Sequence, residues 1–172
     1  MRSNAGCEGA VRTQSAGEDP HDRSRRDRLP WFSFVPMRFE TKIAIVVRDD
    51  LATWQKLNVV SFLAGGLVGA YPELPGERYS DASGHFYGPL IRQPILIFAA
   101  DRAGLTRALG RARERGITAS IYTSELFTTG NDDDNRAAVA AVATDALDLV
   151  GMAVHADRKD VDKITKGLAL HS

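Results

Sequence analysis

The run Lys42 to Val47 (KIAIVV) is apolar without alternation and partly β-branched, so it reads as a strand covered on both faces. It ends abruptly on Arg48, Asp49 and Asp50. From about Ala52 to Ala70 the period changes: Leu57, Val60, Ala64, Leu67 and Val68 recur at helical spacing, while Gly65, Gly66 and Gly69 lower helix propensity and allow close packing. Asp49 or Asp50 is placed to cap that helix by accepting backbone N–H bonds at its positive end. Tyr71 to Pro89, punctuated by prolines and glycines, reads as a long loop with a short strand at His85 to Tyr87, and loops of this length are often functional.

Pro94 to Ala99 (PILIFA) predicts a second buried strand, and Asp101 caps a helix that runs to Arg115 and stops at Gly116. Ile117 to Thr123 is a third strand. Asn131 to about Ala143 is an alanine-rich helix begun by the acidic run Asp132 to Asp134. Leu147 to Val154 is a fourth strand, Asp157 caps a last helix over Arg158 to Lys166, and Gly167 to Leu170 is a short final segment. Strands alternating with helices predict an α/β fold: a mixed, mainly parallel sheet of about four strands flanked by helices, with room for one antiparallel strand.

Before Met37 the pattern fails. Residues 1–36 are rich in Arg, Ser, Gly, Asp and Glu without periodic hydrophobicity, so they are expected to form a disordered extension of a single domain over 37–172. The pair Arg25-Arg26 resembles an export signal, but LPWFSFVP is too short to be its apolar core, and no membrane span follows. Of the 172 residues, 44% are hydrophobic, enough for a core, and 22 basic residues balance 22 acidic ones. No global field therefore draws the chain to nucleic acid or an anionic membrane. The single cysteine, Cys7, supplies neither an intramolecular disulfide nor a zinc cluster, so a reducing, cytoplasmic location is expected.

Ligands of open α/β sheets bind at the carboxyl ends of strands. Arg48, Asp49 and Asp50 follow the first strand, and Ser124, Glu125, Thr128, Thr129 and Asn131 follow the third. If those strands are neighbours, the groups converge, with Lys56 and Asn58 close by on the helix. Lys56 can hold a phosphate or oxyanion, Asp50 or Glu125 can orient a water or act as general base, and Thr128 can hydrogen-bond the reacting group. The blander reading makes Asp50 a cap, Arg48 an ion pair and Lys56 a surface lysine. The four histidines have no metal-binding spacing; His85, in the glycine-rich loop, is the one placed to touch a ligand. No metal and no cofactor are expected, because neither the P-loop nor the dinucleotide fingerprint is present. Arg107, Arg111 and Arg115 share one helix face, which reads as a solvated ridge more readily than an RNA contact.

KIAIVVRDDL, PILIFAADRAGLTRALGRARERGIT and DLVGMAVHADRKDVDKITKGLAL together resemble peptidyl-tRNA hydrolases of the archaeal and eukaryotic type over most of 37–172. WQKLN, RQPILIF, ELFTTGNDDDNRAAV and VDKITKGLALH resemble more closely a bacterial family of unassigned function that shares that fold. The first resemblance implies a mixed four-stranded sheet with helices on both sides and hydrolysis of the ester in peptidyl-tRNA or a related substrate. It assigns Arg48 and Asp50 to an Arg-x-Asp-Leu motif, Lys56 to the second lysine of a Gly-Lys-Gly-Lys stretch, and Thr128 to the loop after the third strand. Trp54 and Gln55 replace the glycine and first lysine, Val60 a glutamine, Leu63 a histidine and Ser124 an acidic residue, with Glu125 adjacent. These changes weaken a phosphate grip. The catalytic expectation is thus Asp50, Lys56, Glu125 and Thr128, with Arg48, Trp54, Asn58, Ser124, Asn131 and His85 binding substrate. Transfer RNA is the partner it implies. The alternative is a non-catalytic module for a small ligand or a protein partner, with Trp54, Tyr79, His85, Phe86 and Tyr87 as its wall. A homodimer is compatible with the sequence, which specifies no interface.

Overall fold

The computed structural model describes residues 39–172, within the compact unit Arg38–Ser172. The expected N-terminal extension, with Cys7, His21 and Arg25-Arg26, lies outside the described residues. In chain order the elements are β1 (Thr41–Arg48), α1 (Thr53–Ala70), β2 (Tyr79–Ser80), β3 (Phe86–Tyr87), β4 (Ile95–Ala100), α2 (Arg102–Glu114), β5 (Ser120–Thr123), α3 (Asp132–Ala140), β6 (Leu149–Asp157), α4 (Arg158–Ile164) and β7 (Ala169–Leu170), with short 3-10 turns at Ser124–Phe127 and Thr144–Ala146.

The sheet has five strands in the order β5-β6-β1-β4-β7. Among the described residues only β1 and β4 pair in parallel; β6 runs antiparallel to both β1 and β5, and β7 antiparallel to β4. The expectation of a mainly parallel sheet of about four strands is corrected accordingly. β1, β4 and β5 do point the same way, but reversed β6 lies between two of them, an order that local hydrophobic pattern cannot reveal. β7, two residues long, pairs Leu170 with Phe98.

Alternate residues of β1 serve two cores. Ala44 and Val46 face Leu105, Ala108 and Leu109 of α2 and Val161 and Ile164 of α4. Ile43, Ile45 and Val47 face Val59, Leu63 and Leu67 of α1. The result is three layers, helix on sheet on helix. α1 sits close because Gly151 on β6 lacks a side chain: a Cβ there would run into Val59 Cγ1 and come within 3.1 Å of Leu63 Cδ1. The β5–β6 register shifts at this point, between Tyr122 and Thr123.

Two helix ends, at Asp101 and Gly116, follow the expected chemistry, and at α3 the cap is the Asn131 side chain rather than the acidic run alone. Asp101 accepts from Gly104 N at 2.6 Å, Asn131 accepts from Asp134 N at 2.9 Å, and Gly116 leaves α2 with φ +67. At α1 the expectation fails. Its N-cap is Ala52, whose N–H donates to Gln55 Oε1 at 3.0 Å, and neither Asp49 nor Asp50 caps it. Asp157 likewise makes no side-chain cap on α4. No helix among the described residues is long and apolar enough to cross a membrane.

Candidate functional site

β1, β4 and β5 end at the same edge of the sheet, and β6 begins there. β1 and β5 are not neighbours, so convergence at this edge depends on the strand between them. Asp148, the residue before β6, supplies the link. Arg48 Nη1 donates to Asp148 Oδ1 at 2.8 Å, Arg102 Nη2 lies 2.5 Å from the same oxygen, and Ser124 Oγ donates to Asp148 Oδ2 at 2.8 Å. Ser124 N also donates to the Asp148 carbonyl at 2.9 Å. Arg48 Nε holds Asp50 Oδ1 at 2.6 Å, which explains why Asp50 is not a helix cap. Both Asp148 oxygens are occupied and both arginines are engaged by carboxylate, so the cluster fixes strand ends rather than presenting a free base. The sequence reading missed Asp148; a carboxylate before a buried run becomes a candidate only once strand order is known.

A second constellation forms where α1 meets β5. Phe127 stands edge-on to Trp54 at 5.7 Å and tilted to Tyr122 at 5.2 Å, while Phe62 is edge-on to Tyr122 at 5.8 Å. The Tyr122 hydroxyl donates to Asn58 Oδ1 at 2.9 Å, and burial pushes this phenol above its ordinary pKa. Beside the rings runs a groove of about 560 Å³ between α1, β5 and α3, walled by Phe62, Leu63, Ile121, Tyr122, Leu126 and Val139. Its polar end holds Asn135, which pairs with Thr129 Oγ1, and Arg136, which pairs with Asp132 and Asp133.

The structure therefore divides the expected site. Arg48 and Ser124 meet at Asp148, Asp50 is attached to that cluster only through Arg48, and Trp54 and Asn58 join the aromatic group. Thr128 Oγ1 donates to the carbonyl of Glu125 at 2.8 Å, but the Glu125 side chain is exposed. Half-buried Lys56 has no ion pair among the described residues. Apart from that Thr128 bond to the Glu125 backbone, no hydrogen bond joins Asp50, Lys56, Glu125 and Thr128 through their side chains. Asn131 is occupied with Asp134 at the start of α3. His85 lies on the loop after α1, 3.5 Å from Asp81, whereas His155 is buried on β6 against Tyr71. Two residues of the arginine ridge support α4 instead: Arg111 donates to the carbonyls of Ile164 and Lys166, and Arg115 approaches Asp160 at 3.9 Å. Among the described residues no group of three His, Cys, Asp or Glu side chains could hold a metal.

A solved structure, that of a protein of unknown function from Agrobacterium tumefaciens strain C58, is similar at 50% identity with a TM-score of 0.77, over 78% of this chain and 100% of that one. Among curated proteins none matches. The family model described as "Protein of unknown function (DUF2000)" matches residues 41–172, and the chain belongs to that family.

Proposed function

We propose that the protein is a binding module whose site is the groove between α1, β5 and α3, taking a small, largely apolar molecule with one polar head group. The observation that carries this reading is the groove itself: about 560 Å³, within the usual size of small-molecule sites, with an aromatic wall and a few polar groups in its lining, Ser120, Asn135 and Arg136 among them. Arg136 is already neutralised there by Asp132 and Asp133, so an uncharged or zwitterionic head fits better than a strong anion. The test is thermal stabilisation of the purified protein by a panel of indoles, phenols and medium-chain alcohols. A compound at a hundredfold excess over its dissociation constant stabilises by about 2.7 kcal/mol, and Val139→Trp, which fills the groove, should remove the shift. A panel without any shift, or a shift that survives Val139→Trp, ends the reading.

Ester hydrolysis on a tRNA-linked substrate is the second reading, in the cytoplasm and without a cofactor. It is supported by the retained order Arg48, Asp50, Lys56, Thr128, by a mixed sheet with helices on both faces, and by Lys56 and Glu125, which have no ion pair among the described residues. Release of peptide from peptidyl-tRNA, lost in Lys56→Ala, would favour it. No release at high enzyme concentration excludes it.

A further inference from the structure

The loop after α1 is not irregular. Backbone bonds Arg92 N to Leu74 O at 3.0 Å and Gly76 N to Leu90 O at 2.8 Å, the bridge Pro75–Ile91, and the β2–β3 pairs Tyr79–Tyr87 and Ser80–Phe86 all share one register. They form a single antiparallel ribbon. Its base is anchored by buried Leu74 and half-buried Ile91, whereas every residue from Glu77 to Leu90 is exposed. The tip is held by Asp81, which accepts from Ser83 N, His85 N and the Tyr87 hydroxyl at 2.8–3.0 Å. A two-stranded ribbon alone in water is marginal, and this one carries Tyr79, Phe86, Tyr87 and Leu90 on its surface.

α1 presents the complementary problem. Its outward side carries Trp54, Leu57 and Phe62, with Ser61, Gly65 and Gly69 between them and Lys56 as the only charge on the helix. A Cβ on Gly65 or Gly69 would meet nothing within 4 Å, so this crest is open to close approach. We infer that the protein forms a two-fold homodimer in which the arm Glu77–Leu90 of each protomer packs on the outer face of α1 of the other.

The area suits that occupant. The seven large apolar side chains on the two surfaces are 54–68% exposed. Five are aromatic, and a buried ring covers about 150–250 Å², so with the two leucines about 600 Å² of side chain per protomer awaits cover. A stable interface takes about 800 Å² per partner, backbone and rim included. One two-fold operation covers both surfaces of both chains, which a single foreign partner does not. Charge does not oppose it: α1 has one lysine and no acid, and the arm carries Glu77 and Asp81 against Arg78.

Sedimentation velocity of the full chain over a dilution series tests this. The wild type should dimerise, and Phe86→Ser/Leu90→Ser on the arm or Leu57→Ser on α1 should each weaken the dimer at least about tenfold. These exposed side chains leave the fold intact, which circular dichroism checks. In a Cys7→Ser background, Tyr79→Cys mixed with Gly65→Cys should give a disulfide-linked heterodimer. A monomer at every concentration, including one that captures a different protein, overturns the inference. So does a dimer indifferent to both sets of substitutions, or one weakened only through the arm with no cross-link to α1.

Discussion

α1 and α2 cover opposite faces of one sheet and are finished differently. α2 buries Leu105, Ala108, Leu109 and Ala112 and turns Arg107, Arg113 and Glu114 to water. α1 buries Val59, Leu63 and Leu67, yet its outer side is also apolar. A helix that is apolar all round is normally enclosed. α2 is therefore complete as a solvated cover, and α1 is complete only with something against it. The chemistry of this chain is better sought around α1, where groove, aromatic group and exposed crest adjoin, than along the arginines of α2.

The comparison can be strained from the inside first. Gly151→Ala pushes a Cβ into Val59 and Leu63 and should cost about 3 kcal/mol, read as a shift in the guanidinium midpoint, because α1 cannot retreat without opening its core. Next is the link between the two helix starts. Asp148→Ala leaves Arg48, only 15% exposed, with the exposed Asp50 as its one remaining carboxylate and frees Arg102 and Ser124, so about 2 kcal/mol should be lost. A loss below about 0.5 kcal/mol would make the cluster an ordinary surface ion pair. On the solvated side the sign reverses: Gly110→Ala in α2 meets nothing within 4 Å and should gain about 0.5–1 kcal/mol in the same measurement.

The smallest effect is local to the arm. Asp81 is held below its ordinary 3.8 first by the Tyr87 hydroxyl and then by the His85 N–H, and Tyr87 is raised by the same bond. A carboxyl lowered by folding favours the ordered turn above its unfolded value and loses that contribution as pH falls through the folded one. Protection of the Ser83 and His85 amides relative to their intrinsic exchange should thus be unchanged from neutral pH to about pH 5 and fall below 3.8. In Asp81→Asn the Tyr87 phenol should titrate lower than in the wild type.

What the sequence made legible was local. Asp101, Asn131 and Gly116 bound helices because side-chain and backbone chemistry within four residues decides a helix end. The buried runs of β1 and β6 show in composition alone, whereas β4, expected to be buried, is half-buried over Ile95–Ala99 because only the two-residue β7 flanks it on its outer edge. Asp50 reads as a cap because the same carboxylate can satisfy a helix start or an arginine, and Arg48 is nearer; Asp49 instead bonds Ala100 through its backbone N–H. Asp148 was invisible because its partners Arg48, Arg102 and Ser124 come from three distant segments. The ribbon looks like a loop in sequence because Pro72, Pro75, Gly76, Gly84, Gly88 and Pro89 mask a register that only backbone pairing reveals.

The placing of β6 between β1 and β5 also governs how the chain can be made. Arg48 and Asp148 stand 100 positions apart, so the middle of the sheet cannot close until β6 has been synthesised. Until then β1 and β5 each present an unpaired inner edge, the kind of edge that invites pairing with another chain. Such long-range closure is slow. A ribosome carrying this protein therefore holds an unfinished sheet until β6 has been made, and protection of the β1 amides should appear only after β6 has left the exit tunnel.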